Sequence, residues 1–203
     1  MTFIIPAAAG GLVKTFLDAR GSISATFNDV PFGAPDPNRY IIVGSCFGGS
    51  GAQPTACTIA GDGADLITGN GGARRARLWI AHVPTGTSGQ VRLFGDGDGA
   101  GIVVWSLHPL FNANAFDFMA TPGADLTTPD GGVAFGVAYT SSSGSVSISW
   151  NGLTQDGATN FDIGSNTGLI SGASSIIPGN TDINVSVSHS PPGFATASFR
   201  PGE

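Results

Sequence analysis

The chain's closest approach to a catalytic motif is Gly44-Ser45-Cys46-Phe47-Gly48, which directly follows the apolar residues 40–43. It has the form of a nucleophile elbow with cysteine in place of serine, in which a strained strand-to-helix turn exposes the nucleophile. The thiol pKa would also have to be lowered, for instance by the N-terminus of that helix. Residues 49–54 are rich in glycine and end in proline, so they do not predict a helix. We therefore expect a glycine-flanked strand end here, and a cysteine hydrolase at Cys46 is the enzyme alternative.

Metal ligation has little support in the sequence. No histidine lies within five residues of another histidine or a cysteine; the three are His82, His108 and His189. The run Asp96-Gly97-Asp98-Gly99 begins like a calcium loop, but Ala100 and Leu107 stand where an EF-hand needs oxygen ligands. A looser calcium site that uses Asp62 or Asp125 stays open. We predict no metal, no cofactor and no catalytic residue.

Sugar chemistry divides into hydrolysis and binding. Glu203 is the only glutamate and the aspartates mostly adjoin glycine, so the paired acids of a glycoside hydrolase are not predicted. Binding without hydrolysis stays open, because five aromatic residues could stack on sugar rings. Each of them also lies within an apolar strand pattern, which favours core packing: Tyr40, Trp79, Trp105, Tyr139 and Trp150.

The two cysteines, Cys46 and Cys57, are too few for a disulfide scaffold. The loop between them is rich in glycine and proline, so a hairpin could bring them face to face. A Cys46–Cys57 disulfide and two separate buried thiols are both compatible with the sequence.

Composition limits the classes of partner. Charged residues make up 11% of the chain and the net charge is −6. The one basic cluster, Arg74, Arg75 and Arg77, is too small for a nucleic-acid or membrane-surface footprint. No segment is long enough to span a bilayer, and the N-terminus lacks the basic region of a signal peptide. This pattern favours a component that assembles inside a cell and works outside it, although a mature secreted fragment would look similar.

The elements that carry these residues are predicted to be strands. Apolar and polar residues alternate with period two in most of the chain, and turn residues recur every 8–15 positions. The pattern predicts an all-β fold, an antiparallel two-sheet sandwich or jelly roll of nine to ten strands. We expect one domain over residues 21–203, in which residues 151–180 are rich in loops and hold a short strand near Leu169-Ile170.

Residues 1–20 are predicted to form an N-terminal arm. Its apolar start, Thr2, Phe3, Ile4 and Ile5, is a candidate for docking to a partner by strand addition. The alternative is a disordered or locally packed terminus. Residues 11–20 are expected as one or two helical turns or as an extended segment.

A resemblance adds to these inferences. The run Leu78-Trp79-Ile80-Ala81-His82-Val83-Pro84-Thr85-Gly86-Thr87-Ser88-Gly89, within residues 77–94, resembles a segment of uncharacterised virion proteins of tailed bacteriophages and prophages. The ending Ala197-Ser198-Phe199-Arg200-Pro201 is similar to theirs. The resemblance implies a non-enzymatic β-sandwich of the head-fibre, decoration or tail-fibre type. The expected partners are other virion proteins, further copies of the chain and a host-surface glycan. The expected location is the virion surface after assembly in the host cytoplasm.

Overall fold

The computed structural model describes residues 12–20, 25–49, 53–68, 76–107, 114–144, 146–188 and 193–200. Within these ranges the chain is all-β, and it contains no helix of the kind that could cross a membrane. The eighteen strands in the described ranges are β1 (Leu12–Arg20), β2 (Thr26–Pro31), β3 (Tyr40–Gly48), β4 (Ala56–Ile59), β5 (Asp62–Gly63), β6 (Asp65–Thr68), β7 (Ala76–His82), β8 (Ser88–Phe94), β9 (Gly99–Leu107), β10 (Asp117–Met119), β11 (Asp125–Thr128), β12 (Val133–Ser142), β13 (Trp150–Asn151), β14 (Thr154–Ile163), β15 (Asn166–Ile176), β16 (Thr181–Asn184), β17 (Ser186–Val187) and β18 (Gly193–Phe199).

The strands form three larger sheets and two small ones. The central sheet has the order β1-β9-β3-β7-β6, and the second sheet has the order β10-β18-β12-β15-β14. The outer sheet is β2-β8-β4-β5, and the two small sheets are the pairs β11-β16 and β13-β17. Every recorded strand pairing is antiparallel, for example across β3, which pairs with both β7 and β9.

The central sheet is buried on both faces because apolar side chains leave its strands in both directions. In β3, Ile42 and Cys46 pack towards the second sheet, whereas Ile41 and Val43 pack towards the outer sheet. Each Å² of apolar surface that the two faces remove from water contributes about 25 cal/mol to the stability of the folded protein. The prediction that residues 40–43 form a doubly buried strand is confirmed.

The second sheet is also covered on its far side. Ala134 and Ala138 of β12 lie in a third apolar cluster, together with Leu126 of β11 and Val185 between the small sheets. The molecule is therefore a stack in the order outer sheet, central sheet, second sheet, small sheets. The all-β sandwich prediction is confirmed, with more strands and more layers than the sequence pattern indicated.

The largest difference from the prediction lies in residues 151–180. This stretch was predicted to be rich in loops, yet it holds β14 and β15, which pair with each other along almost their whole length. Most of its serine and glycine residues lie within these strands. Ser171 and Gly172, for example, lie in the middle of β15, where a small side chain is needed against the neighbouring layers.

The predicted arm is shorter than residues 1–20. Residues 12–20 form β1, the edge strand of the central sheet, which pairs antiparallel with β9 from Leu12 to Arg20. The extended alternative is therefore correct for this part and the helical one is wrong. Thr2, Phe3, Ile4 and Ile5 lie outside the described residues.

Candidate functional site

Arg39 is the most heavily bonded side chain that the structure describes. It is fully buried, and its guanidinium donates to six backbone carbonyls. Nε donates to Val83 at 2.7 Å, while the two terminal nitrogens donate to the carbonyls of residues 32–34 and 85–86. Burial lowers the Arg39 pKa, and the Asp36 carboxylate opposes that shift. The guanidinium thus joins two loops next to the outer sheet. In the sequence, the only sign of this role is a lone charge before an apolar run.

The three tryptophans each donate their indole N–H to a partner inside the molecule. Trp79 donates to the Ser45 hydroxyl at 2.8 Å and Trp150 donates to the Ser171 hydroxyl at 2.9 Å. Trp105 donates to the Asp156 carboxylate at 2.7 Å. Trp79, Trp105 and Tyr139 are buried, which confirms core packing for them and removes them as platforms for a sugar ring.

We expect Asp156→Ala to lower the free energy of unfolding by about 1–3 kcal/mol, because it leaves the buried Trp105 N–H without its charged acceptor. The measurement is urea unfolding followed by tryptophan fluorescence. Asp162→Ala is the matched control, since Asp162 is exposed on the same strand. Equal losses in the two variants would show that the Trp105–Asp156 bond contributes nothing specific.

Cys46 lies within β3 and not at a strand-to-helix turn. It pairs with Ala76 on one side and Gly101 on the other, and the strand continues to Gly48. The expectation of a strand end at this motif is therefore wrong. Burial raises the Cys46 pKa far above its ordinary value, although a hydrogen bond with the Gly101 backbone opposes the shift. The thiol has none of the exposure or positive surroundings that a nucleophilic thiolate requires.

Cys46 and Cys57 are both free and buried. Cys46 belongs to the cluster between the central and second sheets, whereas Cys57 belongs to the cluster between the central and outer sheets. The disulfide alternative is therefore wrong for this structure, because the two thiols lie on opposite faces of the central sheet. The alternative of two separate buried thiols is the one observed.

We expect the free energy of unfolding to fall as pH rises above about 9. Burial raises the Cys57 pKa from 9.0 to about 12. The unfolded chain therefore releases a proton that the native protein retains. Stability is fully present below the unfolded pKa and then falls by up to about 1.4 kcal/mol per pH unit for each thiol. Urea unfolding at pH 8, 9 and 10 measures the slope, and Cys57→Ala should reduce it; an unchanged slope would contradict the assignment.

The remaining candidates for metal ligation do not converge. His82 is exposed at the end of β7, with Nε2 2.7 Å from the Pro37 carbonyl, while His108 and His189 lie outside the described residues. Asp62 is in β5 and Asp125 is in β11, in different sheets. Among the described residues no three acidic, histidine or cysteine side chains are grouped to hold a metal ion.

The described surface includes two clefts with distinct linings. The first, here called the edge cleft, has a volume of about 320 Å³ and lies by the edge strands β6 and β10. Its lining is Asp65, Leu66, Ile67, Ile80, Asn114, Ala115 and Phe118. The second, here called the polar cleft, has a volume of about 470 Å³ and lies by the β14–β15 turn. Its lining is Gly49, Asp98, Ser141, Ile163, Gly164, Ser165 and Asn166.

No protein-family model, curated protein or solved structure matches this chain. The resemblance to phage virion proteins therefore rests on the residues quoted for it and stays a prediction.

Proposed function

We propose that the chain is a non-enzymatic structural protein of a phage or phage-like particle, a head decoration, fibre or tail component. It attaches to the virion surface after assembly in the host cytoplasm and contacts the host surface. The observation that carries this proposal is that three side chains with functional groups serve the fold and not a binding or catalytic site. Arg39 is saturated by six backbone carbonyls, Trp105 is bonded to Asp156, and Cys46 is a buried thiol within a strand.

The layered architecture supports the same proposal. Three apolar clusters, each between different sheets, give rigidity without a structural metal or a disulfide in the described residues. Rigid β-sandwiches suit proteins that add to a particle surface, where symmetry repeats the same contact many times. The resemblance of residues 77–94 to virion proteins points to the same class.

The test is the location of the protein. Particles produced by the strain that encodes the chain are purified by density gradient and imaged by cryo-electron microscopy. Peptides of the chain are then quantified by mass spectrometry against a known capsid protein. We expect a fixed copy number for each particle and density of this size on the particle surface. Absence of the chain from intact particles would end the proposal.

Glycan binding is the second candidate, and the polar cleft favours it. Asp98, Ser141, Ser165 and Asn166 bring a carboxylate, two hydroxyls and an amide to one concave surface, and such groups bind sugar hydroxyls. A glycan array should then detect binding that Asp98→Ala and Asn166→Ala abolish. Asp62→Ala, an exposed aspartate in the outer sheet, is the control. Binding that all three variants retain would exclude the polar cleft.

The cysteine hydrolase alternative is tested by a generic ester assay. The buried thiol predicts equal rates for the wild-type chain and Cys46→Ala.

A further inference from the structure

The two sides of the sandwich between the central and second sheets differ. On one side the edge strands β1 and β14 contact each other, and Lys14 Nζ donates to the Asp156 carbonyl at 2.9 Å. On the other side lie β6 and β10, each with a single neighbouring strand in the described part of the chain. Contacts between edge strands therefore bridge the first side, while on the second side β6 is a sheet edge with one neighbouring strand among the residues that the structure describes.

The open side exposes apolar side chains. Only three large hydrophobic side chains are exposed in the ranges that the structure describes, and two of them line the edge cleft: Leu66 at 42% and Phe118 at 49%. The third, Ile176 at 54%, is at the end of β15. The cleft thus combines an apolar surface with β6, a strand that has one neighbour in the described ranges, and strand addition requires an apolar surface beside such an edge.

We propose that the edge cleft receives the segment Thr2–Ile5 of a second copy of this chain, added as a strand along β6. The inference rests on the proposed function, for which it names the contact between copies. Phe3, Ile4 and Ile5 are consecutive large apolar residues, and no charged residue occurs before Lys14. The four residues of the segment match the four of β6, Asp65–Thr68.

The position of β1 favours a second copy over the same chain. Leu12 begins β1 at one edge of the central sheet, and β6 is at the opposite edge, four strand spacings or about 19 Å away. The seven steps from Ile5 to Leu12 span at most about 25 Å when fully extended, whereas a strand added beyond β6 lies five strand spacings, about 24 Å, from β1. A segment that crosses four strand ends would have almost no length left to turn along β6. Between copies this limit disappears, because the β1 edge of one molecule can lie beside the β6 edge of the next.

Disulfide trapping between separately purified variants tests this arrangement. Ile4→Cys is mixed with an affinity-tagged Leu66→Cys chain, and the mixed dimer is quantified on a non-reducing gel. Ile176→Cys replaces Leu66→Cys in the control, since Ile176 is an even more exposed apolar residue and does not line the cleft. We expect at least a tenfold excess of mixed dimer with Leu66→Cys. The native thiols are buried and do not compete.

Equal trapping by the two partners, or none, would overturn the inference, as would an intrachain disulfide in a dilute Ile4→Cys, Leu66→Cys double variant. As a second readout, light scattering should show an oligomer for the wild-type chain and a monomer for Phe118→Asp and for the chain that lacks residues 2–5, and a monomeric wild-type chain would contradict the inference. Ile176→Asp should leave the oligomer intact. If the chain is found on purified particles but the mixed disulfide does not form, this inference fails and the proposed function stands. If the mixed disulfide forms but the chain is absent from particles, the proposed function fails and the contact between copies stands.

Discussion

Arg39→Met is expected to lower the free energy of unfolding by about 3–5 kcal/mol, because breaking a buried charged network leaves its partners unsatisfied. Six backbone carbonyls in two loops lose their donors at once. Phe32 and Val83, the first residues of those loops, are buried, so water does not readily replace the bonds to their carbonyls, whereas residues 33–34 and 85–86 are exposed. Urea unfolding measures the loss.

Arg39→Lys separates the charge from the geometry. A lysine ammonium keeps the charge but has three donors at one point, and these cannot span carbonyls on both loops. We therefore expect Arg39→Lys to lower the free energy of unfolding by more than half of the amount that Arg39→Met lowers it. Arg92→Met is the matched control: Arg92 is exposed over the Phe94 ring, so its loss should stay within about 0.5 kcal/mol. Wild-type stability in Arg39→Lys would show that charge alone suffices.

Gly172→Ala is expected to lower the free energy of unfolding by about 1–3 kcal/mol through overpacking between the central and second sheets. A Cβ at this position would lie 2.6 Å from Val103 Cγ2 and 3.1 Å from Trp105 Cζ2. Neither neighbour can move easily, because Val103 is branched and fully buried and the Trp105 indole is bonded to Asp156. Thermal and urea unfolding measure the effect.

Two further variants show whether the clash is the cause. Val103→Ala removes the atoms that the new methyl group would meet, so it should cost less stability in the Gly172→Ala background than in the wild type. Gly63→Ala is the control, since a Cβ there meets no atom within 4 Å and should change stability little. Simple additivity of Gly172→Ala and Val103→Ala would contradict the proposed contact.

The sequence predicts the interior of this fold better than its edges. Strands β3, β12 and β18 are predicted correctly because buried positions are occupied by apolar residues, which form long apolar or alternating runs in the sequence. Only the centre of β15, near Leu169 and Ile170, is predicted as a short strand, because the small residues on either side also occur in turns. There, Gly172 allows close packing of two sheets, and Ser171 accepts the Trp150 indole N–H.

The sites show the same limit. Glycine and serine around Cys46 match the pattern of a nucleophile elbow. The same residues also fit a strand with neighbours on both sides, and the sequence alone cannot distinguish the two. Arg39 and Asp156 depend on partners 44 and 51 residues away in the chain, and no local rule reaches that far. The edge cleft joins strands from two sheets, so only the assembled structure brings Leu66 and Phe118 to one surface.

The double burial of the central sheet separates the protein's interior from its exterior. Neither face of β3 or β9 meets solvent, since the outer sheet covers one face and the second sheet covers the other. Most of the buried apolar contacts are therefore made by the inner sheets. Substitutions on the solvent-facing side of the outer sheet should therefore leave the packing of the central sheet intact, so the chemistry of that surface can change while the shape of the molecule is kept.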